Sequence, residues 1–192
     1  MNDFKYAYLK NLLPVEFCHF FTHVLMRYNE YKNDDFVDMQ MPDSLVSLPN
    51  SYMFETAQER IWPTIEEILG EELIPTYSFA RLYINDNTLE KHTDNSDCEI
   101  SVSIQLGRSH HYSWPLYIED QRFDLAEGDG IIYLGELEHH RNICDGPVGY
   151  YSGQVFFHFV RKNGPYADVG VNSSKRITPS FIRNRTVVME SK

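Results

Sequence analysis

Residues 83–94 read Tyr-Ile-Asn-Asp-Asn-Thr-Leu-Glu-Lys-His-Thr-Asp. Asn85, Asp86 and Asn87 form a turn signal, and the run after it ends in His92, Thr93 and Asp94. On an extended strand, residues two apart point to the same face. His92 and Asp94 can therefore present an imidazole nitrogen and a carboxylate oxygen to one point. The pair is two thirds of a metal site of the kind that uses two His and one carboxylate and leaves the opposite positions free. Two candidates for the third ligand lie downstream, His139 and His140; a strand can turn only one of two neighbours inward. The rest of the chain is then expected to build a β-barrel-like scaffold that returns one of them to the pair.

The flanking patterns fit such a scaffold. Upstream, Tyr77, Phe79, Arg81 and Tyr83 alternate with Ser78, Ala80, Leu82 and Ile84. Downstream, Cys98, Ile100, Val102, Ile104 and Leu106 alternate with Glu99, Ser101, Ser103 and Gln105, which reads as a half-buried strand. Short strands are expected around 114–118, 123–125, 131–134 and 153–160, parted by turn signals such as Glu127, Gly128, Asp129 and Gly130. The chain starts differently. A helix beginning at Pro14 is expected to carry Phe17, Phe20, Phe21, Val24, Leu25 and Tyr28 in one apolar stripe. Residues 31–53 are polar, hold Pro42 and Pro49, and read as a long connection. A second helical region over 54–69 has Ile61, Ile65 and Leu69 on one stripe and Gly70 as its stop; at Pro63 it either kinks or restarts. Short strands after a helical start predict an α+β chain with a mainly β core, a sandwich or jelly roll with helices on one side.

The 192 residues suffice for one domain with a real core, and 14% aromatic with 42% hydrophobic residues suit a sheet-rich interior. The net charge of −11 argues against a nucleic-acid or anionic-membrane partner. Residues 161–192 hold seven of the 17 Lys and Arg against Asp168 and Glu190, a net +5, so the first 160 residues carry −16. Cys18, Cys98 and Cys144 are odd in number and widely spaced, which predicts free thiols in a reducing compartment. No basic segment with an apolar core opens the chain and no apolar run would span a bilayer, so a soluble, cytoplasmic protein is expected. The oligomeric state is not written in the sequence. Several other residues read as structural. His19 and His23 flank a packed helix, His110 and His111 sit in a turn, and Trp62, Trp114 and Phe156 belong to the core. Ser152 and His158 lack the third member and oxyanion loop of a nucleophilic site.

A His-x-Asp triplet alone carries little weight: with 8 His in 192 residues, chance supplies one in about every second chain of this composition. Its context is more specific. In order along the chain come Arg81, Leu82, Tyr83; Leu89, His92, Thr93, Asp94; Trp114, Pro115, Leu116, Tyr117; Gly128, Asp129, Ile131, Ile132, Tyr133; Glu136, His139, His140, Arg141; and Gln154 to Val160. In this text, which spans about residues 76–166, the chain resembles the Fe(II)- and 2-oxoglutarate-dependent oxygenases, particularly their prolyl-4-hydroxylase-like branch.

The resemblance implies a double-stranded β-helix (jelly roll, cupin-like) core over 76–166, with helical support over 1–75 packed on one sheet and a basic tail over 167–192. It implies Fe(II) bound by His92, Asp94 and His139, with His140 where the family writes an aromatic residue. It implies 2-oxoglutarate and O2 as co-substrates, and hydroxylation of a peptidyl prolyl residue, amino acid or other small molecule with release of succinate and CO2. In the family an Arg or Lys on the last core strand grips the far carboxylate of 2-oxoglutarate. Here that place falls on Tyr150, with Ser152 after it. Arg141, two residues past His139, is the first candidate to take over, and Arg81 the second. Tyr83, Tyr150 and Gln154 are expected to add hydrogen bonds, Tyr83 standing nine residues before His92 where prolyl-hydroxylase-like proteins also place a tyrosine. A surface salt bridge to Glu136 or Glu138 is the competing reading of Arg141. The missing strand-borne cation leaves an alternative function, a metal-binding jelly-roll module without turnover that serves as sensor or scaffold; a zinc hydrolase or isomerase is a third reading. Partners are expected to be a small-molecule or peptide substrate, met by residues 31–53 and the basic tail, with neither nucleic acid nor membrane involved.

Overall fold

The alternation over residues 77–84 belongs to one of the two long central strands, and the rest of the architecture is arranged on either side of them. The structure, a computed structural model, describes residues 4–31 and 38–170. Residues 32–37 of the polar connection and 171–192 of the basic tail lie outside the described residues. In chain order the elements are β1 (Tyr6–Leu9), α1 (Val15–Tyr31), β2 (Val46–Pro49), α2 (Tyr52–Leu69), β3 (Leu73–Ile84), β4 (Leu89–His92), β5 (Ile100–Arg108), β6 (Leu116–Ile118), β7 (Gln121–Phe123), β8 (Gly130–Leu134), β9 (His139–Arg141) and β10 (Tyr151–Arg161). They form a six-stranded sheet in the order β1-β8-β5-β10-β3-β2 and a four-stranded sheet in the order β4-β9-β6-β7. All the strand pairs among the described residues are antiparallel.

Both helices cover the outer face of the larger sheet. On α2, Phe54, Ala57, Ile61, Ile65 and Leu69 recur at helical spacing and pack on Ala80, Leu82, Val155, Phe157 and Phe159 of the sheet. Each of the Phe, Ile, Leu and Val side chains contributes about 1.5–3 kcal/mol by leaving water. The helix runs on through Pro63, which faces solvent, and ends at Gly70, whose left-handed φ of 68° lets its N–H bond the Glu66 carbonyl at 2.8 Å. On α1 the buried stripe is Cys18, Phe21, Thr22 and Leu25. The expected stripe is corrected here: Phe17 and Phe20 are 56% and 55% exposed, because the sheet meets the face centred on Phe21.

Two strands add to the sequence reading. β1 pairs with β8 at one edge of the larger sheet and β2 with β3 at the other, so part of the polar connection is strand. A further correction concerns β5. Ser101, Ser103 and Gln105 are as buried as Val102 and Ile104, because the smaller sheet covers the face read as solvent-exposed. That second face is where Tyr77, Phe79 and Arg81 of β3 and Phe156 and His158 of β10 look across to β4, β6 and β9. Among the described residues no helix is long and apolar enough to cross a membrane, and Cys18, Cys98 and Cys144 are free and buried.

Candidate metal centre

The pairing of β4 with β9 sets His92 opposite His139, with ring centroids 4.1 Å apart. Asp94 follows in the loop after β4, where its N–H donates to the Gly135 carbonyl at 2.8 Å. Its Oδ1 lies 3.5 Å from His139 Nε2 and 3.9 Å from His92 Nε2, and one ligand atom from each of the three residues lies within 4.8 Å of the others. An ion bonded at about 2.1 Å to each would hold neighbouring donors about 3 Å apart, so small side-chain shifts suffice.

The far side of each ligand is already engaged. His92 Nδ1 lies 2.7 Å from the Glu90 carbonyl and His139 Nδ1 2.9 Å from the Leu137 carbonyl. A carbonyl only accepts, so both protons sit on Nδ1 and each Nε2 carries a lone pair that can take an ion; that of His139 has the Tyr133 hydroxyl 3.5 Å away. The Ser101 hydroxyl donates to Asp94 Oδ2 at 2.7 Å, which leaves Oδ1 open. Burial pulls the His139 imidazole below its ordinary range, against the pull of Asp94, and favours the neutral form that can coordinate. These donors fit an ion that accepts two imidazoles and a carboxylate.

The three residues open onto a cavity of about 330 Å³. Tyr77, Phe79, Tyr133 and Phe156 supply aromatic wall, so Phe156 is cavity lining as well as core. Arg81 lies in the same cavity but is committed. It donates from Nε to Asp38 Oδ2 at 2.7 Å and from Nη2 to Asp38 Oδ1 at 3.1 Å and Gln40 Oε1 at 2.6 Å. Its Nη1 reaches the Tyr83 hydroxyl at 3.3 Å, and Phe79 and Phe156 lie against its guanidinium. As a free anchor for a second carboxylate Arg81 is therefore corrected: Asp38 already neutralises it.

Arg141 is different. It is 2% exposed, its guanidinium lies 4.9 Å from the Trp114 ring centroid, and its Nη1 donates to the Trp114 carbonyl. Among the described residues its buried Nη2 has no hydrogen-bond partner, and neither does the buried hydroxyl of Tyr150, beside which Ser152 lies. The surface salt-bridge reading of Arg141 is overturned, since the residue is interior; Glu138 pairs instead with Lys91 at 3.0 Å. Burial pulls Arg141 below the usual range, with Tyr83 and Tyr150 among the groups beside it. Gln154 does not join this group. Its amide is occupied by Ser103 at 3.2 Å and Gln105 at 2.5 Å, inside the row between β5 and β10.

His140 projects from the other face of β9 and stacks on Tyr117, with centroids 5.0 Å apart and planes 15° from parallel. His110 and His111 are exposed, and His19 pairs with Glu127 at 2.8 Å. Sequence reasoning missed Ser101, His158, Asp38 and Gln40. The alternation puts Ser101 on the outward face of its strand and offers His158 no partner but Ser152, and the expectation that residues 31–53 meet substrate singles out neither Asp38 nor Gln40.

No family model matches the chain, and no curated protein matches its sequence. Solved structures do match its shape. The collagen prolyl hydroxylase of Paramecium bursaria chlorella virus-1, solved with 2-oxoglutarate, has a TM-score of 0.61 at 9% identity, over 82% of this chain and 97% of that one. A prolyl-4-hydroxylase of Pseudomonas putida has a TM-score of 0.59 at 13% identity, over 81% and 93%. EctD of S. alaskensis, solved with 2-oxoglutarate and 5-hydroxyectoine, has a TM-score of 0.60 at 14% identity, over 80% and 72%. Two antiparallel sheets, helices outside the larger one and a His-Asp-His cluster between them thus give this chain the fold of the 2-oxoglutarate-dependent oxygenases, prolyl hydroxylases among them.

Proposed function

We propose that the chain is an Fe(II)- and 2-oxoglutarate-dependent dioxygenase on a double-stranded β-helix core, with His92, Asp94 and His139 as its metal ligands. The observation that carries the reading is the convergence of two unprotonated imidazole nitrogens and one carboxylate oxygen within 4.8 Å, each ligand held from behind by a hydrogen bond. Three ligands on one side of an ion suit a reaction in which co-substrate and oxygen bind on the other. Iron with 2-oxoglutarate and O2 supplies an oxidation that ends in substrate hydroxylation, with succinate and CO2 released.

The chain's own residues would bind, orient and exclude water. A guanidinium cut off from water with no anion beside it is costly, by several kcal/mol. Among the described residues Arg141 Nη2 and the Tyr150 hydroxyl both lack hydrogen-bond partners, and each is a donor of the kind a carboxylate accepts. We therefore assign the far carboxylate of 2-oxoglutarate to Arg141, helped by Tyr150 and Tyr83, in place of the family's strand-borne cation. Arg81 instead holds the Asp38 segment to the cavity wall. The aromatic walls suit a reacting carbon of a peptidyl prolyl residue, amino acid or other small molecule. Three buried free thiols suit a cytoplasmic, reducing setting.

Anaerobic titration of the Fe(II)-loaded protein with 2-oxoglutarate tests this. The parent should develop the visible absorption of a metal-chelated 2-oxo acid, and His92→Ala should not. A parent that binds iron but never 2-oxoglutarate would be a metal-binding module without turnover, and the oxygenase reading would fall.

A further inference from the structure

We infer that Ser101 and His158 form a relay that decides which oxygen of Asp94 a metal can take, so that both act as positioning residues for the centre. The inference rests on the metal reading above. Ser101 lies within β5, is fully buried, and places its Oγ 2.7 Å from Asp94 Oδ2 and 3.0 Å from His158 Nδ1. A hydroxyl has one proton to give. The Asp94 carboxylate at 2.7 Å is a nearer and stronger acceptor than the Cys98 carbonyl, 3.4 Å from the same Oγ, so that proton goes to Asp94, and Ser101 must in turn accept from an Nδ1–H of His158. The proton of His158 is thereby placed on Nδ1, and burial, which holds this imidazole below its ordinary range, keeps the ring neutral.

His158 is the rigid end of the relay. It sits on β10 directly opposite Ser101, its carbonyl accepts from Gln58 Nε2 of α2 at 2.8 Å, and its ring lies against Tyr77 at 4.5 Å. Asp94 is the soft end, in a loop outside helix or strand. With Oδ2 tied to Ser101, only Oδ1 faces the two Nε2 atoms. Without the tie the carboxylate can rotate and offer both oxygens to an ion, taking a position the co-substrate needs. Second-layer hydrogen bonds of this type set ligand orientation and affinity.

The test uses Co(II) as probe, titrated into the full chain and followed by its visible ligand-field spectrum, with thermal unfolding alongside. Ser101→Ala should weaken Co(II) binding about 10- to 100-fold and alter the spectrum. His158→Phe, which leaves Ser101 and Asp94 in place, should shift both in the same direction by less. The double variant should bind no more weakly than Ser101→Ala alone, because the nearer link is already broken. Ser103→Ala, which loses a bond to Gln154 and none to Asp94, should match the parent. Parent-like affinity and spectrum in a folded Ser101→Ala or His158→Phe would overturn the relay while the metal reading stood. A parent that takes up no Co(II) would overturn both.

Discussion

Arg141 carries the co-substrate half of the proposal at the scale of a single residue. Replacing it by Leu removes a charge-assisted pair of donors worth about 2–3 kcal/mol, so Arg141→Leu should raise the Kd for 2-oxoglutarate roughly 30- to 150-fold. Co(II) affinity should stay within about twofold, because the hydrogen bond of Arg141 goes to the Trp114 carbonyl and not to a ligand of the triad. His140→Ala should likewise leave Co(II) binding intact, since that ring stacks on Tyr117 away from the cluster; a large loss would reassign the third ligand. Glu55 gives a pH signature independent of the site. It is buried in the first turn of α2, and burial, with the charge of Glu59 beside it, pushes its carboxyl up to about 7. Its unfolded value is about 4.3. The folded state then holds the proton more tightly, so its contribution is complete below about pH 4.3 and is lost as pH rises to about 7. Glu55→Gln should therefore gain stability over the parent through that window, reaching on the order of 3–4 kcal/mol, as denaturant unfolding at the two ends would show.

At the scale of elements, the centre depends on how the end of β8 meets the loop after β4. Gly135 accepts the Asp94 N–H at 2.8 Å and donates to the Glu99 carbonyl at 3.0 Å. A Cβ there would lie 2.0 Å from the Cys98 carbonyl oxygen and 3.0 Å from the Asp94 Cβ. Backbone must move to admit it. Gly135→Ala should cost about 1–3 kcal/mol in thermal unfolding and, by displacing Asp94, weaken Co(II) binding at least about tenfold. Unchanged metal affinity would show that the loop tolerates the shift. The burial of β5 is also a property of the element pair. Alternation in the sequence marks two faces, but not that a second sheet covers the polar one, where Ser101, Ser103 and Gln105 find partners in Asp94, Gln154 and Ser152.

For the whole molecule, a ligand that binds only the folded state stabilises it by mass action, about 2.7 kcal/mol at a hundredfold excess over Kd. For a chain of this size that is roughly 5–10 °C in Tm, which Co(II) should give to the parent and withhold from His92→Ala. Much of the plan is local and could be read directly. The alternation of β3 and β5 and the helical spacing of α2 involve neighbours a few residues apart, and so does the closeness of His92 and Asp94, although β4 ends at His92 and Asp94 is held from the loop that follows. On α1 the same spacing left too many aromatic residues to choose among, and only the sheet selected the Phe21 face. The turn of His139 toward Asp94, with His140 left on Tyr117, was decided by register, since the pairing of β4 with β9 sets His92 opposite His139. A slip of one residue would exchange the two faces of the strand. The capture of Arg81 by Asp38 and the isolation of Arg141 were decided in the same way, by contacts between segments far apart in the chain, whose geometry no local pattern of residue types encodes.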